Sequence, residues 1–173
     1  MVMDAVVERF IEQSPVTVMA RLALQRALDP AWLDALFEQE RQTQYKGELL
    51  FSTTVELMSV VAVGQRPSLH AAAKACQDLP VSVQALYGKI NRTEPALVRA
   101  LVRSSAERLR PVMAPMQQGK SPLARNYRVK LVDGNHLAAS DKRIKPLRGF
   151  RGAALPGHSL VVYDPELDMA VDL

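Results

Sequence analysis

The chain has 173 residues, a hydrophobic fraction of 48%, a net charge of +4 and a pI of about 9.4. That length suits one ordinary domain or two small ones, and the apolar content excludes a disordered chain. The single cysteine, Cys76, excludes an internal disulfide and a cysteine-based zinc site, and fits a reducing cytosol. Met1 to Gln13 has no basic start followed by an apolar block, and no stretch approaches the length of a membrane span, so a soluble cytoplasmic protein is expected.

In chain order, the first elements read as helices. Ser14-Pro15 and Asp29-Pro30 each combine a capping residue with proline at the first helical position. Val18, Leu22, Leu24 and Leu28 give the first a helical apolar pattern; Trp32, Leu33, Leu36 and Phe37 give it to the second. Gly47 breaks the pattern. Ser52 then caps an apolar helix carrying Val55, Leu57, Met58, Val61 and Ala62, which ends at Gly64. Ser68 opens a helix to about Gln77, and Leu79-Pro80 interrupts it. Ser82 caps the next, to about Asn91, and Thr93 with Pro95 starts a longer one that Pro111 and Pro115 end near Arg110. Trp32 and the methionines read as core.

Met116 to Ser121 looks like a linker, after which the texture changes. Arg128–Val132, Leu160–Tyr163 and Met169–Leu173 have strand character. Strands following a block of helices predict an α+β chain with a helical region over 1–120 and a second unit over 121–173. Three short strands make a poor independent core, so the second unit reads as the opening of a larger domain.

Ser68 to Arg92 has the layout of a helix-turn-helix: a small, alanine-rich helix, a short turn and a capped helix. Ser82, Gln84, Lys89, Asn91 and Arg92 are the polar groups of the second helix, while Val83, Leu86, Tyr87 and Ile90 are expected to face the first. Glutamine and asparagine pair with adenine edges, and lysine and arginine meet phosphate or guanine. The plainer alternative is two packed helices with a solvated face. The following helix adds Arg99, Arg103, Arg108 and Arg110 against Glu94 and Glu107.

Asp133, at the end of a β run and directly before Gly134, is either a turn residue or a carboxylate placed to hold a catalytic metal. Phosphoryl transfer by two Mg²⁺ ions needs several such carboxylates. Lys120, Arg125, Arg128, Lys130, Lys142, Arg143, Lys145, Arg148 and Arg151 stand around it against only Asp133 and Asp141. That net +7 exceeds the charge of the whole chain and suits a polyanionic partner; the plainer alternative is a solvated basic surface. His136 either supports such a site or is a hydrogen-bonded structural histidine; His158 reads as a turn residue, and Asp164, Glu166 and Asp168 as a tight connection between strands, with a metal site the lesser alternative.

The stretch LVDGNHLAASDKRIKPLRG, with LPGHSLVVYDPELDMAVDL after it, resembles the start of the catalytic domain of DDE-class transposases of bacterial insertion sequences. From Phe51 to Arg92 the chain resembles the helical region that precedes it. The resemblance implies an RNase H-like fold, Mg²⁺-dependent DNA strand cleavage and joining, and double-stranded DNA as partner, with a homo-oligomer or full-length transposase as a further one. Asp133 matches the first catalytic and metal-ligating aspartate. The family's second aspartate and its glutamate would lie beyond Leu173, so a truncated transposase that binds DNA without cleaving it is expected. A non-catalytic helix-turn-helix regulator and a helical interaction module are the alternatives.

Overall fold

A computed structural model describes residues 12, 14–117, 121–137 and 157–173. Helices α1 (Pro15–Ala27), α2 (Pro30–Glu40), α3 (Phe51–Ala62), α4 (Leu69–Ala75), α5 (Val83–Asn91) and α6 (Pro95–Met116) precede strands β1 (Leu131–Leu137), β2 (Gly157–Asp164) and β3 (Met169–Asp172). The chain is therefore α+β. No helix among the described residues is long and apolar enough to cross a membrane.

Local chemistry sets most helix starts. Asp29 Oδ1 accepts the Trp32 N–H at 2.8 Å, and the Ser68 and Ser82 hydroxyls accept the N–H groups of Ala71 and Ala85 at 3.2 Å. Gly64 (φ +75°) closes α3 in the left-handed conformation that glycine adopts without steric cost. Ser52 differs from expectation. Helix α3 begins one residue earlier, after Leu50, and the Ser52 N–H and hydroxyl donate to the Asp34 carboxylate at 2.9 and 2.8 Å. A carboxylate of α2 thus serves the positive end of α3.

Helix α3 joins two apolar clusters. Leu33 and Phe37 of α2 pack with Phe51 and Val55 of α3 and Leu97 of α6; Phe37 and Phe51 stack at 5.6 Å. Leu57 of α3 packs with Leu49, with Ala72 and Ala73 of α4, and with the fully buried Leu86 of α5. Trp32 lies partly buried against the first cluster, whereas Met19, Met58 and Met116 are exposed rather than core.

The expected end of the last helix at Arg110 is corrected: α6 runs to Met116 with Pro111 and Pro115 inside it. Helix α4 is shorter than expected, ending at Ala75. The sheet is antiparallel in the order β1-β2-β3, and α6 packs against β3. Strand β1 begins at Leu131 rather than Arg128 and runs on through Asp133 and Gly134, with Asp133 opposite Val161.

Candidate nucleic-acid interface

The short side chains of Ala72 and Ala73 are buried between α4 and its neighbours, which lets α5 approach closely. Leu86 is the buried anchor of α5. Gln84, Tyr87 and Asn91, spaced by three and four residues, share the exposed face of that helix. Tyr87, expected to pack inward, is 40% exposed and belongs to this outer face. Ser82 is exposed, with its hydroxyl engaged in capping. Arg92 is exposed and folds back over Gly88, where a Cβ would stand 3.4 Å from its guanidinium.

Lys89 departs from the sequence expectation. It is buried, and its ammonium donates to the Lys46 carbonyl at 2.7 Å and to the Leu49 carbonyl, 5.2 Å above the Phe37 ring. Burial lowers its pKa, against the charge of Asp34, which raises it. In this arrangement Lys89 is a fixture of the 46–49 loop, and Gln84, Asn91 and Arg92 remain as the outward polar groups.

The loop before α3 is held from the far side by Glu94. Its carboxylate accepts the backbone N–H groups of Gln42 (2.8 Å), Thr43 (2.7 Å) and Gln44 (2.8 Å) and the Thr43 hydroxyl (2.7 Å). The Thr43 hydroxyl, then the Gln42 and Thr43 N–H groups, hold the carboxyl down at about 2, against a desolvation penalty. With Lys89 on one side and Glu94 on the other, the loop lines a groove of about 570 Å³ with Val81, Ala85 and Arg92. In the sequence Glu94 reads only as an offset to nearby arginines; a bond between segments so far apart in the chain leaves no local signal.

Asp133 is exposed, third of the seven residues of β1, and not in a turn. Side chains alternate along a strand, and cross-strand partners share a face. Asp133 and its partner Val161 therefore lie on the opposite face from Val132 and its partner Val162, and Val162 lines a cleft against α6. Among the described residues no group of three or more histidine, cysteine, aspartate or glutamate side chains could hold a metal ion. Asn135 and His136 enter through their backbone pairing with Ser159 and His158. Lys142, Arg143, Lys145, Arg148 and Arg151 lie outside the described residues.

Asp164, read from sequence as part of a turn, is a buried hub. It accepts from Arg128 Nη2 at 2.8 Å, from Lys130 Nζ, and from the Glu166 N–H at 3.0 Å. Burial works to raise its pKa, but the bonds from Lys130, Arg128 and Glu166 outweigh that and bring it to about 2. Asp164 thus fixes the two cations that precede β1. Asp168 at the end of the same turn has φ +56° and accepts the Tyr163 hydroxyl.

The arginines of α6 are largely drawn into the fold. Arg99 binds Asp172 of β3 through two hydrogen bonds, at 2.8 and 2.9 Å, which with the Leu173 N–H hold that carboxyl well below the usual range. Arg108 lies 4.6 Å over the Trp32 ring, and its Nε donates to the Arg26 carbonyl at 2.7 Å while Arg26 Nε donates to the Arg108 carbonyl at 2.8 Å. Arg110 pairs with Glu107 at 2.8 Å. Arg103 is held more loosely, at 4.0 Å from Asp172. Comparison with protein-family models, with curated proteins and with solved structures found no match for this chain.

Proposed function

We propose that the chain handles double-stranded DNA through the exposed face of α5 and carries, on β1, one carboxylate of a DDE-transposase strand-cleaving centre. What carries this reading is the location of Asp133: on an exposed face of a paired strand, where the ladder fixes its direction, rather than in the reverse turn that Asp-Gly equally allows. The antiparallel order β1-β2-β3 is compatible with the opening of an RNase H-like sheet. Gln84 and Asn91 offer the amide groups that pair with adenine edges, and Arg92 supplies a phosphate contact.

The described residues do not by themselves make a Mg²⁺ site, since Asp133 brings one carboxylate and the ion requires several oxygen ligands. The function proposed for the described residues is therefore DNA binding, strand cleavage requiring further carboxylates beside Asp133. The affinity for duplex DNA is expected to fall steeply between about 50 and 200 mM salt, as phosphate neutralisation requires. Gln84→Ala combined with Asn91→Ala should relax sequence preference, by about 1–3 kcal/mol for each amide–base pairing removed. Anisotropy titrations over a set of duplexes measure both. Absent or salt-insensitive binding sinks the proposal, and Mg²⁺-dependent cleavage abolished in Asp133→Ala would show that the chain is catalytically competent after all.

A helical interaction module is the second reading, and α1 favours it. Val16, Leu22 and Leu24 of that helix are exposed, Val16 by 80%. Under that reading charge is incidental, and the binding titration separates the two.

A further inference from the structure

The cleft between α6 and the sheet is a second place where cations gather, apart from both α5 and Asp133. Its volume is about 630 Å³, and Arg103, Arg108, Arg110 and Lys130 face two carboxylates, Glu107 and Asp172. Val162 and Val171 form part of its wall. Four cations against two carboxylates in one cleft raise the local positive potential and attract a polyanion.

The way these cations are held decides what they can do. Asp172 already gives both oxygens to Arg99, so Arg103, 61% exposed and 4.0 Å away, is poorly neutralised. The Arg110–Glu107 pair is exposed, and such a pair contributes little and exchanges readily for a stronger anion. Arg108 is ordered in advance by the Trp32 ring and the Arg26 carbonyl, which reduces the entropy cost when its remaining N–H groups engage a ligand. Lys130 is oriented by the buried Asp164. Guanidinium groups presented in this way match phosphate oxygens.

We propose that this cleft binds the phosphodiester backbone of duplex DNA, as a binding surface additional to α5. The inference rests on the DNA-binding reading and extends it to a second region of the molecule. Because Val162 and Asp133 lie on opposite sheet faces, a backbone seated here is not the one that would meet Asp133. The cleft meets phosphate and not bases, so it adds affinity without sequence preference.

The test uses the full chain, labelled duplex DNA and anisotropy titrations across salt. Arg103→Gln should weaken binding roughly fivefold and lower the slope of log affinity against log salt by about 1, equally for all duplexes. Its thermal midpoint should be unchanged, because among the described residues the ion pair Arg103 gives up is a long one, 4.0 Å to Asp172. Glu107→Gln removes a carboxylate from the cleft and releases Arg110, so it should tighten binding. An unchanged slope in Arg103→Gln, or no gain in Glu107→Gln, overturns the proposal. Inorganic phosphate should compete with DNA beyond chloride at equal ionic strength, and less so in Arg103→Gln; competition unchanged in that variant places the phosphate contact elsewhere and overturns the proposal. Silent Arg103→Gln alongside impaired Gln84→Ala/Asn91→Ala leaves the α5 reading standing and the cleft refuted; no binding by the unaltered chain removes both.

Discussion

Lys89 and Glu94 show how single side chains tie this molecule together through backbone groups. Replacing Lys89 by methionine keeps much of its volume but leaves the Lys46 and Leu49 carbonyls without their ammonium partner. A loss of about 1–3 kcal/mol is expected in urea unfolding. An unchanged midpoint would mean that water replaces the ammonium without cost. The inward turn of Lys89 is partly legible in the sequence: it follows the buried Leu86 by three residues, so helical spacing puts it on the core side. Residue type argues the other way, because lysine is rarely buried unless its charge is satisfied, and the satisfying carbonyls come from a distant loop. For Glu94 the folded-state pKa of about 2 lies below the usual 4.5. Its contribution to stability is therefore complete above about 4.5 and is lost as the pH falls from there toward 2. Asp164 acts in the same direction, from 3.8 down to about 2. Urea midpoints measured from pH 5 to pH 2 should fall less steeply for Glu94→Gln than for the parent chain. Parallel curves would remove Glu94 as a source of the acid dependence.

At the level of elements, the helices are readable wherever the information is local. Asp29, Ser68, Ser82 and Gly64 act at helix ends as their side chains or backbone freedom dictate. Ser52 is not readable in this way, because its partner, Asp34, belongs to another helix. The end of α6 is hidden too, because proline's intrinsic preference points to a stop at Arg110. The helix nevertheless runs on through Pro111 and Pro115, both exposed, to Met116. Pro111→Ala restores an N–H that can donate to the Glu107 carbonyl and should raise stability by about 1–3 kcal/mol in thermal unfolding. A lower midpoint would show that the freedom proline removes from the unfolded chain is worth more than the missing bond. Strand β1 outruns its local signal, which fades at Val132 because Gly134 and Asn135 have poor strand preference; pairing with β2 overrides it. That same pairing moves Asp133 from the end of a strand to its interior, so the register of the candidate carboxylate cannot be read locally.

For the molecule as a whole, the sequence separates a helical region from a strand region, and the structure joins them across α6. The paired hydrogen bonds from Arg99 to Asp172 secure β3 to the helix. Asp172→Ala should speed amide exchange in β3 and its neighbour β2 while leaving the α2–α3 core protected. Uniform protection throughout would show that apolar packing alone holds the sheet in place. The change from helical to alternating texture is visible in the sequence, but the docking is not, because it depends on charges 73 residues apart. The Glu94 clamp reaches back 50 residues to Gln44. On a ribosome adding 5–20 residues each second, the 42–44 segment would wait about 3–10 s for its partner. Until then its amides have only water to bond, leaving α2 and α3 joined by an unfastened hinge in the newborn chain.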